Sequence, residues 1–279
     1  MLLDPQDITD FIDRALDEDI GRGDLTTMVT IPEGTKLKVA MMARQPLVVC
    51  GMEMAAEVFH RVDPTINIKL LVKDGTAAPA KTVLARISGD ARAILSAERT
   101  ALNIVQHLSG ISTMVRAYAE KVKGTKAVLI DTRKTIPTLR NVAKYASYIG
   151  GARNHRIRLD DGVLIKDNHI AAHGSLTATI VAAKRRTPAL TVIEVECDTL
   201  KQVKEAAEAG VDMILLDNMS AADMSKAVKI VAGRSRIEAS GGITLETIRE
   251  KAESGVDFIS VGRMTQSAPA VDIGLDWGV

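Results

Sequence analysis

Asp131-Thr132-Arg133-Lys134-Thr135 and Gly150-Gly151-Ala152-Arg153-Asn154-His155-Arg156 bracket a stretch of one-sided charge. From Thr132 to Leu159 there are seven Lys and Arg residues and no Asp or Glu. Arginine forks match carboxylate or phosphate oxygens two at a time. Arg133, Lys134 and Arg156 therefore point to an anion carrying more than one such group, whereas Arg140 and Lys144, mid-helix, read as a solvated basic face. Lys166-Asp167-Asn168-His169 adds another ammonium; its alternative chemistry is a Schiff base with a carbonyl substrate. Glu196 and Asp217-Asn218 offer carboxylates that can hold Mg²⁺ or sugar hydroxyls, or simply neutralise the arginines. Ser240-Gly241-Gly242 and Ser260-Val261-Gly262 let backbone N–H groups approach an oxyanion. Among the histidines, His155 reads as functional, His169 as either a ligand or a loop residue, and His60, His107 and His173 as structural.

These strings need elements that bring them to one place. Each follows a short apolar run: Val128-Leu129-Ile130, Val163-Leu164-Ile165, Val192 to Val195, Met213 to Leu216, Ile237 to Ala239 and Phe258 to Val261. Helical stretches lie between them, so the pattern is strand–helix alternation, the grammar of a parallel sheet or (β/α) barrel. In such folds functional residues collect at the carboxyl ends of strands. An echo, Gly210-Val211-Asp212-Met213-Ile214 beside Gly255-Val256-Asp257-Phe258-Ile259, reads as one local solution used twice. The first hundred residues read differently. Asp4 caps a helix with Pro5 at its first position, and strands expected at Thr35 to Arg44, Ile66 to Val72 and Thr82 to Ile87 are mostly antiparallel. Ala91 to Val122 is expected to form two helices broken at Ser109-Gly110.

Composition excludes several classes. With 36 Lys and Arg against 35 Asp and Glu, the chain lacks the basic field of a general nucleic-acid binder. Seven aromatic residues are too few for base-stacking platforms. Cys50 and Cys197 form no metal or redox spacing and read as buried hydrophobes in a reducing compartment. Met1 to Asp19 is acidic and does not read as a leader, and no stretch reads as a membrane span, so the expected location is cytoplasmic.

Taken together, these motifs resemble quinolinate phosphoribosyltransferase, as do Glu18 to Thr27, Glu98-Arg99-Thr100-Ala101-Leu102-Asn103 and Leu216-Asp217-Asn218. The resemblance implies an α/β fold: an N-terminal α/β sandwich domain over residues 1–101, rejoined by the tail 269–279, and an open, incomplete (β/α) barrel over 102–268. It implies transfer of phosphoribose from phosphoribosyl pyrophosphate to quinolinate with decarboxylation, in NAD biosynthesis. The catalytic set implied is Lys134, Glu196 and Asp217, the last two also holding the cofactor Mg²⁺. The substrate-binding set implied is Arg99, Thr132, Arg133, His155, Arg156, Lys166, Ser240, Gly241, Gly242 and Gly262. It also implies a homodimer in which Arg99 reaches across the interface, with no nucleic-acid or membrane partner. Ala152, Thr138 and Gln266 depart from the family pattern without removing a charged ligand. The rivals are a paralogue of the family linked to molybdenum transport, an aldolase built on Lys166 and a non-catalytic anion-binding module.

Overall fold

The computed structural model describes residues 3–278; Met1, Leu2 and Val279, at the ends of the expected first-domain segments, lie outside the described residues. In chain order the elements begin with α1 (Pro5–Ile20), α2 (Leu25–Thr30), β1 (Lys36–Ala43), β2 (Leu47–Val48), α3 (Met52–Val62), β3 (Asn67–Leu70), β4 (Ala77–Ala78), β5 (Val83–Asp90) and α4 (Ala91–Val122). Then come β6 (Val128–Ile130), α5 (Arg140–Gly150), β7 (Val163–Ile165), α6 (Asp167–His173), α7 (Leu176–Arg186), β8 (Ile193–Cys197) and α8 (Leu200–Glu208). The chain ends with β9 (Met213–Asp217), α9 (Ala221–Val231), β10 (Arg236–Ser240), α10 (Ile248–Glu253), β11 (Phe258–Ser260), α11 (Arg263–Gln266) and β12 (Ile273–Trp277). Among the described residues, 3–116, 137–150 and 267–278 form one compact unit, and Ala117–Ile136 with Gly151–Gln266 form a second. No helix of the described residues is long and apolar enough to cross a membrane.

The first unit carries a four-stranded antiparallel sheet ordered β12-β1-β5-β3. The tail returns to it as an edge strand, with Val39 opposite Trp277 and Ala43 opposite Ile273. Asp4 caps α1 by accepting from the Gln6 N–H, as expected from its side chain. Two expectations fail here. Ser109-Gly110 does not break a helix: α4 runs unbroken for 32 residues. The serine hydroxyl accepts from the Cys50 N–H, and Gly110 is there because a Cβ would sit 2.1 Å from the Pro269 carbonyl oxygen. Glycine here serves close packing, and the helix tolerates its lower propensity. Lys144 is not on a solvated face but fully buried on α5, a helix that also buries Val142, Ala143, Ala146 and Ser147.

The second unit is a six-stranded parallel sheet ordered β6-β11-β10-β9-β8-β7. Its two edges, β6 and β7, are not joined to each other, which leaves the barrel open; a single parallel bridge from Ile130 to Arg153 lengthens the β6 edge. The echo has a structural reason. Asp212 Oδ2 accepts from the Ile193 N–H at 2.8 Å, and Asp257 Oδ2 accepts from the Ile237 N–H at 2.9 Å. Each aspartate satisfies a donor in the first two residues of the neighbouring strand, and Gly210 and Gly255 make the preceding turn in the left-handed region. The core beneath is aliphatic, led by Val195, Ile214, Leu216, Ala239 and Ile259.

Candidate active site

A cavity of about 670 Å³ opens at the carboxyl ends of the parallel strands. Thr132, Arg133, Lys134, His155, Arg156, Lys166, Glu196, Asp217, Ser240, Gly241, Gly242 and Gly262 all line it. Of the expected site residues only Arg99 does not; it lies exposed on α4, in the first unit.

One end of the cavity is cationic. Arg133 Nε is buried with no hydrogen-bond partner. Burial, and then the charge of Arg133, lower the pKa of Arg156 from its ordinary value. Arg156 Nη1 donates to the Gly162 carbonyl at 2.7 Å. Two like charges, one with an orphaned donor, form a site that an anion would complete. Fully buried Asp131 fixes the loop carrying them: Asn154 Nδ2 donates to its Oδ2 at 2.6 Å and the His155 N–H to its Oδ1 at 2.8 Å. Lys166 Nζ donates one of its three hydrogens to Glu196 Oε2 at 2.5 Å.

The other end is built from backbone. Gly241 and Gly242 have φ of +84° and +60°. A Cβ on Gly241 would lie 2.3 Å from Asn218 Oδ1 and 2.7 Å from Asn218 N, so only glycine fits. Asn218 itself sits at φ +54° and ties back through its N–H to the Ser240 carbonyl at 3.0 Å. Ser260 Oγ donates to Ser240 Oγ at 3.0 Å. At Gly262 a Cβ would meet Lys134 Cδ at 2.7 Å, and Thr265 Oγ1 donates to the Lys134 carbonyl at 2.8 Å. The lysine stem thus lies across Gly262, between the cationic end and the glycine-rich end.

The cavity also holds residues that sequence reasoning passed over. Glu238 and Arg263 line it. Glu194 and Glu238 are 3% and 1% exposed, inside the barrel. His155 Nε2 is 3.0 Å from Glu194 Oε2 and 3.6 Å from Glu238 Oε2. Burial first, and the Glu194 charge second, hold the Glu238 carboxyl well above the usual carboxylate range. The strand period carried the signal: Glu194 shares a face with Glu196, and Glu238 with Ser240. Among the described residues His155, Glu194 and Glu238 are the one group of three whose ligand atoms converge, within 4.8 Å of one another; Glu196 and Asp217 are outside it. The Asp217 carboxylate accepts from Asn218 Nδ2 at 2.8 Å.

Known proteins resemble this chain over nearly its whole length. The family model for the quinolinate phosphoribosyl transferase C-terminal domain matches residues 111–276, and that for its N-terminal domain matches 24–109. A nicotinate-nucleotide pyrophosphorylase [carboxylating] of Mycobacterium leprae is 42% identical over 96% of each chain. A probable one from Methanocaldococcus jannaschii is 43% identical over 94% of each. The crystal structure of NadC from Streptococcus pyogenes superposes with a TM-score of 0.94 at 39% identity, covering 99% of both chains. With both halves matched, this chain belongs to the quinolinate phosphoribosyltransferase family.

Proposed function

We propose that this chain transfers phosphoribose from phosphoribosyl pyrophosphate to quinolinate with loss of carbon dioxide, giving nicotinate mononucleotide and pyrophosphate for NAD biosynthesis. One observation carries the reading: a single cavity has two mutually repelling arginines at one end, Arg133 with an unpartnered Nε, and a glycine-built anion cradle at the other. A dicarboxylate satisfies the first and a sugar phosphate the second. Thr132, Arg133, Arg156 and Lys166 grip quinolinate, with His155 ordering the loop beside them. Ser240, Gly241, Gly242 and Gly262 take the 5′-phosphate.

Chemistry follows from charge. The quinolinate ring nitrogen attacks the anomeric carbon as pyrophosphate leaves, through an oxocarbenium-like transition state. The carboxylates of Glu196 and Asp217 face the cationic ribose, and the Lys134 ammonium offsets charge on the leaving group. As the adjacent carboxylate departs as carbon dioxide, its bonding pair stays on the ring carbon, stabilised by the neighbouring quaternary nitrogen, and that carbon then takes up a proton. The oxygen-only donors Glu196 and Asp217 suit a hard cation completed by substrate phosphates and water. Bound there, Mg²⁺ would neutralise the pyrophosphate.

The working unit in this reading is a cytoplasmic homodimer. Arg99, exposed on α4, reaches the quinolinate end of the other copy's cavity. Two free, buried cysteines are in keeping with a reducing compartment. Chromatographic detection of nicotinate mononucleotide from quinolinate, phosphoribosyl pyrophosphate and Mg²⁺ tests the assignment; product formed from nicotinate but not from quinolinate would overturn it.

A further inference from the structure

Below the cationic end of the cavity, Arg156 is held by a chain of contacts that the reaction does not consume. Its backbone N–H donates to His155 Nδ1 at 2.7 Å. With Nδ1 accepting, the imidazole hydrogen lies on Nε2, which meets Glu194 Oε2 at 3.0 Å. Glu238 closes the cluster: its Oε2 lies 3.6 Å from the same Nε2, and both carboxyl side chains are buried inside the barrel. Both ring nitrogens of His155 therefore face protein partners, and Asp131 fixes the backbone of the same residue. The imidazole is arranged as a strut more than as a free donor to substrate. Two carboxyls side by side in a dry interior are costly unless they serve one another and a third group.

We infer that Glu238 is a positioning residue, which together with Glu194 braces the His155 ring and so sets the place of Arg156 at the quinolinate end of the cavity. The inference rests on the proposed function for its kinetic readout but not for its structural one. Glu194 and His155 act in the same line: the carboxylate selects the ring tautomer, and the ring aims the following residue. A glutamine at Glu238 keeps size, neutrality and a donor, whereas an alanine leaves a void beside the His155 ring.

The test compares Glu238→Ala, Glu238→Gln and Glu194→Gln with the wild-type protein. The alanine variant and Glu194→Gln should raise the quinolinate KM by roughly 10- to 100-fold, leaving the phosphoribosyl pyrophosphate KM within about threefold. Glu238→Gln should restore the quinolinate KM. Nitrogen-15 NMR of His155 should show the Nε2–H tautomer in wild type and Glu238→Gln, and its loss in Glu194→Gln. Equal effects on both KM values with no rescue by glutamine would overturn the inference, as would an Nδ1–H tautomer in the wild type. So would a stoichiometric divalent metal in purified wild-type protein that Glu238→Gln loses. If the wild-type protein turns over no quinolinate, the proposed function fails, and the NMR comparison alone decides this inference.

Discussion

Arg133 stands close enough to Arg156 to lower the pKa of that guanidinium, and its own Nε is buried without a hydrogen-bond partner. Like charges held together inside a protein signal a missing counter-charge. Replacing either arginine by alanine should leave the fold intact and raise the quinolinate KM on the order of 100-fold, a few kcal/mol of charged contact. Steady-state kinetics with each substrate varied in turn checks this. An unchanged quinolinate KM in Arg156→Ala would contradict the assignment.

The glycine cradle should be intolerant at one position and forgiving at the other. In Gly241→Ala the new Cβ meets Asn218 Oδ1 and backbone N inside contact distance, at φ +84°. About 1–3 kcal/mol of strain is expected, and a weaker hold on phosphoribosyl pyrophosphate with quinolinate binding retained. In Gly262→Ala the clash is with the Lys134 side chain, which can swing aside. Thermal melts and binding titrations of the two variants separate the cases.

Gly110→Ala tests the unbroken α4. Alanine is better by roughly 1 kcal/mol in a helix interior, so propensity alone predicts stabilisation. The Pro269 carbonyl oxygen 2.1 Å from the new Cβ predicts the reverse. A melting temperature below wild type is expected, because overpacking against backbone costs about 1–3 kcal/mol.

The buried acid predicts a pH dependence of definite sign. Glu238 has its folded pKa raised, so its neutral form is favoured by the fold. The stability it contributes is full below the ordinary carboxyl range and is lost as pH rises toward the folded value. Glu238→Gln cannot ionise. Melts from about pH 5 to 9 should show the wild type losing ground to this variant as pH rises.

Both cysteines should resist alkylation in the folded protein. Burial first, then Asp198, pushes the Cys197 thiol up to about 12, and burial raises that of Cys50 as well. Mass spectrometry after iodoacetamide treatment should find neither modified until the chain is denatured.

The barrel strands were legible because a buried parallel strand is a continuous apolar run: the expected Val128-Leu129-Ile130 and Val163-Leu164-Ile165 coincide with β6 and β7. The cavity residues were legible because strand ends are where such folds keep charge. Gly110 was misread because local propensity does not reveal that a distant proline carbonyl occupies the space a side chain would need. Lys144 was misread because helix position alone does not say which face is covered. Glu194 and Glu238 were passed over as part of apolar strands, although their spacing from Glu196 and Ser240 places them on the inward face one layer below.

The most direct measurement is release of labelled carbon dioxide from carboxyl-labelled quinolinate, with and without phosphoribosyl pyrophosphate. Decarboxylation here depends on a ring nitrogen made quaternary by ribose. Release should be absent without phosphoribosyl pyrophosphate and match pyrophosphate one for one with it. Release that proceeds without phosphoribosyl pyrophosphate would contradict the account.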